Sequence, residues 1–239
     1  MTRRTAPVDF DHPYLAVDVA LLTAQAGALH ALIVRRSAAP FEGAWAVPGG
    51  FVRTDESLDE AAARILHDKA DVGQVYLEQL YTFGSVDRDP RTRVVTVAYY
   101  ALVPAERLVA AGLPAGEEGS LSRLYVPWEG ETGGPVEALD EAGDPRHLAF
   151  DHAEILGMAV KRLRGKLDYA PVGFQLLPEK FSLLDLQRIH ETILGRPVNK
   201  DSFRRRMLAS NQLVATGERA EGVGFRPPEL YRFVHRSAV

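Results

Sequence analysis

Cysteine is absent from all 239 residues, which excludes disulfide bonds and thiolate metal sites and fits a reducing compartment. Also missing is any apolar run of membrane-spanning length, and the N-terminal stretch MTRRTAPVDFDHPYLAV has no uninterrupted apolar h-region. These absences lead us to expect a soluble, cytoplasmic protein without a membrane partner. What is present suffices for ordinary folding: 46% of the residues are apolar, enough for normal buried cores, and the length suggests two domains.

The net charge of −4 conceals an asymmetry. Residues 1–160 carry 13 Lys+Arg against 24 Asp+Glu, a balance of −11, whereas residues 161–239 carry 15 against 8, a balance of +7. An acidic front and a basic back imply different partners. A basic C-terminal part is the electrostatic footprint expected for a nucleic-acid backbone, although charge alone fits a basic solvated surface equally well.

The chain is organised around Trp45 to Val72, WAVPGGFVRTDESLDEAAARILHDKADV, which reads as a short strand, a tight glycine turn, an acidic loop and an amphipathic helix. Gly49 and Gly50 stand where backbone must approach a ligand closely or turn with φ > 0. Leu58, Ala62, Ile65 and Leu66 recur at helical spacing and should face a sheet. Gly50, Glu56 and Arg64, preceded by Trp-x-Val-Pro-Gly-Gly, resemble the first half of the Nudix box, G-x5-E-x7-R-E-U-x-E-E-x-G-U with U aliphatic. The bland alternative is a surface helix that happens to share the spacing. The second half departs from the family pattern. Positions that would be three metal-holding glutamates are Ile65, Asp68 and Lys69. Spacings of three and four residues share a helix face, so an intact box gathers three carboxylates. Here one carboxylate stands beside an aliphatic side chain and an ammonium. Magnesium wants oxygen ligands and must activate water for pyrophosphate hydrolysis; Glu56 and Asp68 make a poor cage for it. Lys69 can instead meet a ligand phosphate as a point charge. We therefore expect a Nudix pocket with no catalytic residues and no metal.

Around this stretch, Tyr14–Leu22 and Leu29–Arg35 read as strands joined through Gly27, followed by strands at Tyr76–Gly84, Arg93–Val103 and Leu124–Trp128. Arg35 and Arg36 could clamp a diphosphate or simply be strand-end charges. The loop SVDRDPRTR is suited to the surface or the pocket rim and resembles loops of ADP-ribose-handling Nudix proteins. Pro104–Ala111 reads as a short helix, and Asp151–Leu167 as a longer one with Asp151 and Glu154 forming a capping box. Asp168–Gly173 reads as a linker.

Beyond it, Ser182 and Asp185 form a capping box for a helix ending at Leu194-Gly195, and Asn199 caps a second helix, Lys200–Ser210. Two short helices across such a turn read as helix-turn-helix. Phe203 and Met207 share a buried face of the second helix; Lys200, Ser202, Arg204 and Arg205 are candidate DNA contacts, with Arg206 directed to phosphate or to packing. Leu213–Thr216 and Leu230–Phe233 can pair as a wing whose tip carries Arg219 and Arg226. This arrangement favours DNA over a structural or protein-binding role.

The spoiled box followed by LPEKFSLLDLQRIHETILGRPVNKDSFRRRML and a wing resembles the Nudix-related transcriptional regulators over nearly the whole chain. The resemblance implies an α+β fold: a Nudix α/β/α sandwich with a mixed sheet over residues 1–168, then a winged helix-turn-helix over 169–239. It further implies a homodimeric repressor of NAD-metabolism genes that reads a palindromic operator in double-stranded DNA and needs no cofactor. ADP-ribose would be its effector, bound by Arg36, Gly49, Gly50, Arg53 and Lys69. The rival reading is an active ADP-ribose pyrophosphatase using Glu56 and Asp68, with the basic part as an accessory domain. A third makes that part a protein-interaction module.

Overall fold

The computed structural model describes residues 11–70, 73, 75–112, 119–167, 170–220 and 227–234. It begins with a hairpin of β1 (Tyr14–Gln25) and β2 (Ala28–Arg35), turned at Ala26 and Gly27, both at positive φ as a tight two-residue hairpin demands. Then follow β3 (Trp45–Ala46), β4 (Gly49–Phe51), α1 (Leu58–Ala70), β5 (Tyr76–Phe83), β6 (Val94–Leu102), α2 (Ala105–Ala110), β7 (Gly119–Tyr125), β8 (Glu137–Leu139), β9 (Pro145–Arg146) and α3 (His152–Lys166). Among the described residues nine strands form one mixed sheet, ordered β5-β6-β1-β2-β7-β8-β9, with β3 on β2 and β4 on β1. Only β1 and β6 run parallel; the other ladders are antiparallel.

Strand alternation divides β1 between two cores. Val17, Val19 and Leu21 pack with Ala61, Ala62, Ile65 and Leu66 of α1, while Ala20 and Leu22 join Ile155, Leu156, Ala159 and Leu163 of α3. The sheet is thus covered on both faces, and β1, central and buried on both sides, reads as a nearly unbroken apolar run.

The C-terminal part contains a 3₁₀ turn (Pro171–Leu176), β10 (Phe181–Ser182), α4 (Leu183–Leu194), α5 (Lys200–Ala209), β11 (Leu213–Arg219) and β12 (Glu229–Phe233). Its sheet is ordered β10-β12-β11. The capping box of α4 is formed: Ser182 Oγ accepts from the Asp185 amide at 3.2 Å, and the Asp185 carboxylate accepts from the Ser182 amide at 2.9 Å. Asn199 caps α5 by accepting from the Ser202 amide at 3.0 Å, and Gly195 ends α4 in the left-handed conformation.

Several expectations are corrected. Gly49 and Gly50 make no turn; they lie in β4, paired with Asp18 and Val17, and neither has a positive φ. Asp151 makes no side-chain cap on α3, because its carboxylate is taken by Arg88. The expected linker Asp168–Gly173 is not a free segment. Its first two residues lie outside the described ones, but Val172 and Gly173 are buried, and the adjoining Phe174 stacks on Phe233 with centroids 4.3 Å apart. One apolar cluster therefore runs from β1 and α3 through the 3₁₀ turn into α4 and α5. β11 extends through Arg219, past a register shift after Ala215, so Arg219 belongs to a strand rather than to the tip.

α3 approaches the 130–135 loop so closely that a Cβ on Gly157 would overlap the Gly134 carbonyl. Backbone on both sides leaves little room to adjust. Gly157→Ala is expected to destabilise the protein by about 1 to 3 kcal/mol through overpacking, read as a lower midpoint in urea unfolding.

Candidate functional site

The box helix keeps its start. Ser57 and Glu60 form a capping box, Ser57 Oγ accepting from the Glu60 amide at 3.2 Å and the Glu60 carboxylate from the Ser57 amide at 2.8 Å. The S-x-x-E spacing carried this signal. Glu56 faces inward to Arg64, which donates to its two oxygens at 2.8 and 2.6 Å; the Arg53 amide adds a third bond at 2.9 Å. These bonds, the Arg64 contact foremost, hold the Glu56 carboxyl at about 2, well below its ordinary value. Ile65 is fully sheathed in the core, Asp68 is half exposed with one oxygen 3.9 Å from Arg64, and Lys69 is exposed at the cavity. A divalent cation does not fit this set. One ligand position is a hydrocarbon, another repels a cation, and Glu56 is committed to a guanidinium. Among the described residues no three His, Asp or Glu side chains could hold a metal.

Beside α1 lies a cavity of about 270 Å³ between β1, β2, β4 and the 85–93 loop. Arg36, Gly49, Gly50 and Lys69 line it, as do Arg35, Arg88 and Arg91, against Asp18 and Asp89. Arg53 is not among the lining residues; what places it is its amide bond to Glu56. The cavity is therefore net cationic and suits an anion, while Phe51, Phe150, Val34 and Val94 supply apolar wall. Arg36 is steadied by donating to the Pro40 carbonyl at 2.9 Å and by lying 4.7 Å from the centre of the Phe150 ring.

The loop around Arg88 lies at the surface and the pocket rim, as expected, but Arg88 and Asp89 turn inward from it. Arg88 is buried and donates to Asp151 at 2.6 and 2.9 Å and to Asp18 at 3.2 Å. Asp18 crowds Gly49 so tightly that a Cβ there would collide with its carboxylate, which accounts for the glycine in β4. His152, also buried, accepts from the Val47 amide through Nδ1 at 3.1 Å and turns Nε2 toward Asp18 at 3.9 Å. Burial pushes this imidazole below its ordinary pKa against the pull of Asp18 and Asp151, in keeping with a neutral ring whose Nδ1 accepts. The sequence reading missed Asp18, Arg88, Phe150 and His152. The lone charge in YLAVDVALL was a usable signal for Asp18.

On the C-terminal part, Lys200 and Arg204, one helical turn apart on α5, line a groove with Arg219 of β11, Gln187 of α4 and Tyr231 of β12. Ser202 and Arg205 are exposed on α5 but do not line this groove. Arg206, expected at phosphate or in packing, lies 5.8 Å from the centre of the Phe203 ring. Arg226 falls outside the described residues.

Fold and site together define a sheet-based, anion-suited cavity domain with a basic winged helix behind it. A family model for the NUDIX domain matches residues 12–143, and one for the NrtR DNA-binding winged helix domain matches residues 173–233. The chain is 36% identical over 227 residues to an ADPR responsive transcriptional repressor, NtrR, of Acinetobacter baylyi, covering 94% of this chain and 84% of that one. It is similar to the crystal structure of Shewanella oneidensis NrtR complexed with a 27mer DNA, with 34% identity, coverage of 92% and 93%, and a TM-score of 0.76. An ADP-ribose pyrophosphatase of Methanocaldococcus jannaschii is 29% identical over 125 residues, covering 52% of this chain and 62% of that one. The chain belongs to the family of Nudix-related transcriptional regulators.

Because Arg64 holds the Glu56 carboxyl at about 2, the contribution of this pair to stability is complete above the ordinary carboxylate range near 4.3 and is lost as pH falls through 2. Arg64→Gln should raise the Glu56 titration midpoint toward that ordinary range, as followed by the carboxyl carbon shift in an NMR titration.

Proposed function

We propose that this protein is a DNA-binding transcriptional repressor whose Nudix part, residues 1–168, senses ADP-ribose without hydrolysing it, and whose residues 169–239 bind the operator. The observation that carries the reading is the replacement of metal-holding carboxylates by Ile65 and Lys69 beside a cationic cavity, on a chain that also presents the groove of Lys200, Arg204 and Arg219. The Acinetobacter baylyi relative, an ADPR responsive repressor, supports the ligand and the repression; Shewanella oneidensis NrtR, crystallised with a 27mer DNA, supports DNA as the partner.

In this reading the diphosphate lies among Arg36, Lys69 and the close-lying backbone of Gly49 and Gly50, with guanidinium forks matching phosphate oxygens. Arg53 could enter only through its exposed side chain, so its assignment is the weakest in geometry. Lys200 and Ser202 open α5, the end of a recognition helix that meets base edges; Arg204, Arg205 and the wing flank it with positive charge, and Arg226 is assigned to the DNA contact by sequence. Two subunits would place their recognition helices about 34 Å apart on a palindromic operator. Genes of NAD metabolism are the expected targets, and no metal or other cofactor takes part.

The hydrolase reading is favoured by the Methanocaldococcus jannaschii relative. Both readings are tested by incubating the full-length protein with fragmented DNA of its own genome, with and without ADP-ribose, and sequencing what is retained. A palindrome whose enrichment changes with ADP-ribose is the expected result. No selective enrichment, together with magnesium-dependent release of AMP from ADP-ribose, would replace the sensor with an enzyme. For the site itself, Lys69→Glu should weaken ADP-ribose binding in calorimetry by at least about tenfold, ~1.4 kcal/mol; unchanged affinity would remove Lys69 from the site.

A further inference from the structure

The ends of α3 serve different parts of the molecule. Its first residue, His152, lines the cavity, and Asp151 immediately before it gives both carboxylate oxygens to Arg88, itself a cavity residue. Near the other end, roughly 20 Å away at 1.5 Å per residue, Arg164 is buried and makes all three of its hydrogen bonds to main-chain carbonyls. Nε donates to Ile193 at 2.9 Å; Nη1 donates to Trp128 at 3.1 Å and to Gly130 at 3.0 Å. The Trp128 ring lies beneath the guanidinium, 4.8 Å from its carbon.

The Ile193 carbonyl belongs to the last turn of α4, where carbonyls have no partner within the helix and the helix dipole favours a cation. Arg164 therefore holds the end of α4 in two ways at once. The space around Gly195, the cap of α4, is filled by the same guanidinium, since a Cβ there would stand 3.1 Å from Nη2. α4 in turn carries α5, with the His190 ring edge-on to Phe203 at 4.9 Å. A single rigid helix thus joins a cavity-facing ion pair to the support of the recognition helix.

At the cavity end, one guanidinium serves two carboxylates, Asp18 and Asp151. An entering diphosphate presents the same paired oxygens that Asp151 presents, and the two compete for one fork. We propose that α3 transmits ligand occupancy to the DNA-binding part: the diphosphate of ADP-ribose draws Arg88 from Asp151, the N-terminus of α3 resettles, and Arg164, a positioning residue, carries the displacement to the end of α4. The inference rests on the ADP-ribose reading above. It identifies Arg88 as a ligand contact and Arg164 as the coupling residue.

The test compares DNA affinity with and without saturating ADP-ribose for the full-length wild type, Arg164→Met and Asp151→Asn, using the palindrome recovered by enrichment. Calorimetry without DNA gives each ADP-ribose affinity, and thermal unfolding establishes that each variant is folded. In wild type the two DNA affinities should differ by roughly fivefold to 150-fold, the usual range of coupling between sites. Arg164→Met should bind ADP-ribose within about twofold of wild type while its ratio of DNA affinities falls close to one. Asp151→Asn should bind ADP-ribose more tightly, and its ligand-free DNA affinity should move toward the liganded wild-type value, as reciprocity between linked sites requires. A merely structural Arg164 would lower the melting temperature and leave the ratio intact. Retention of the wild-type ratio by either folded variant overturns the proposal. Should Arg164→Met not fold, Asp151→Asn decides alone. Wild type that shows no ADP-ribose binding, or no change in DNA affinity, defeats the ADP-ribose reading itself.

Discussion

A single buried guanidinium sets the terms for the cavity and for the helix behind it. Arg88 draws together Asp18 from the middle of β1 and Asp151 ahead of α3, 70 and 63 positions away in the chain. Buried carboxylates carry a desolvation penalty of several kcal/mol per ion unless paired with good geometry, so Arg88 turns inward from an otherwise exposed loop. Its consequences spread outward. With Asp18 held in place, only glycine fits at position 49; beside it, burial above all, and Arg88 to a lesser degree, lowers the pKa of His152, whose Nδ1 accepts from the Val47 amide.

The box helix is held by contacts made within its own stretch of chain. Arg64 and Glu56 still lock the loop ahead of α1 to its second turn, and Ser57 with Glu60 caps the start. None of these contacts needs a metal. Ile65 adds a large apolar side chain to the core between sheet and helix, a gain in burial of the order of 1.5 to 3 kcal/mol relative to exposure. Ile65 thus reinforces the fold, and Lys69 leaves a charge at the cavity suited to an anion.

Continuity between the two parts of the chain has an energetic side as well. Val172, Phe174 and Leu176 fill the space between α3 and the small sheet, so the winged helix is packed onto the larger domain through apolar contact. Arg164 pins the junction with hydrogen bonds to three carbonyls, and burial lowers its pKa from the ordinary value. Charge meanwhile stays segregated, with the acidic excess before residue 160 and the basic excess after it.

The sequence by itself determined whatever depends on neighbours within one or two turns of chain. That includes the β1–β2 hairpin, the capping box of Ser182 with Asp185, the Asn199 cap, the apolar faces of α1, α3 and α4, and the spacing from Gly50 to Arg64 that marks the family. The two-residue strands β9 and β10 and the three-residue strands β4 and β8 are too short to show a period, and only pairing with distant strands creates them. Asp151 had the right neighbours for a cap, yet a buried arginine 63 positions away outbid them, because a bidentate ion pair out of water is stronger than a single bond to a backbone amide. Which charges meet was settled by the tertiary structure: Arg88 with two carboxylates and Arg164 with the end of α4. Each contact is set by the packing of elements far apart in the chain, and no local pattern of residue types encodes that distance.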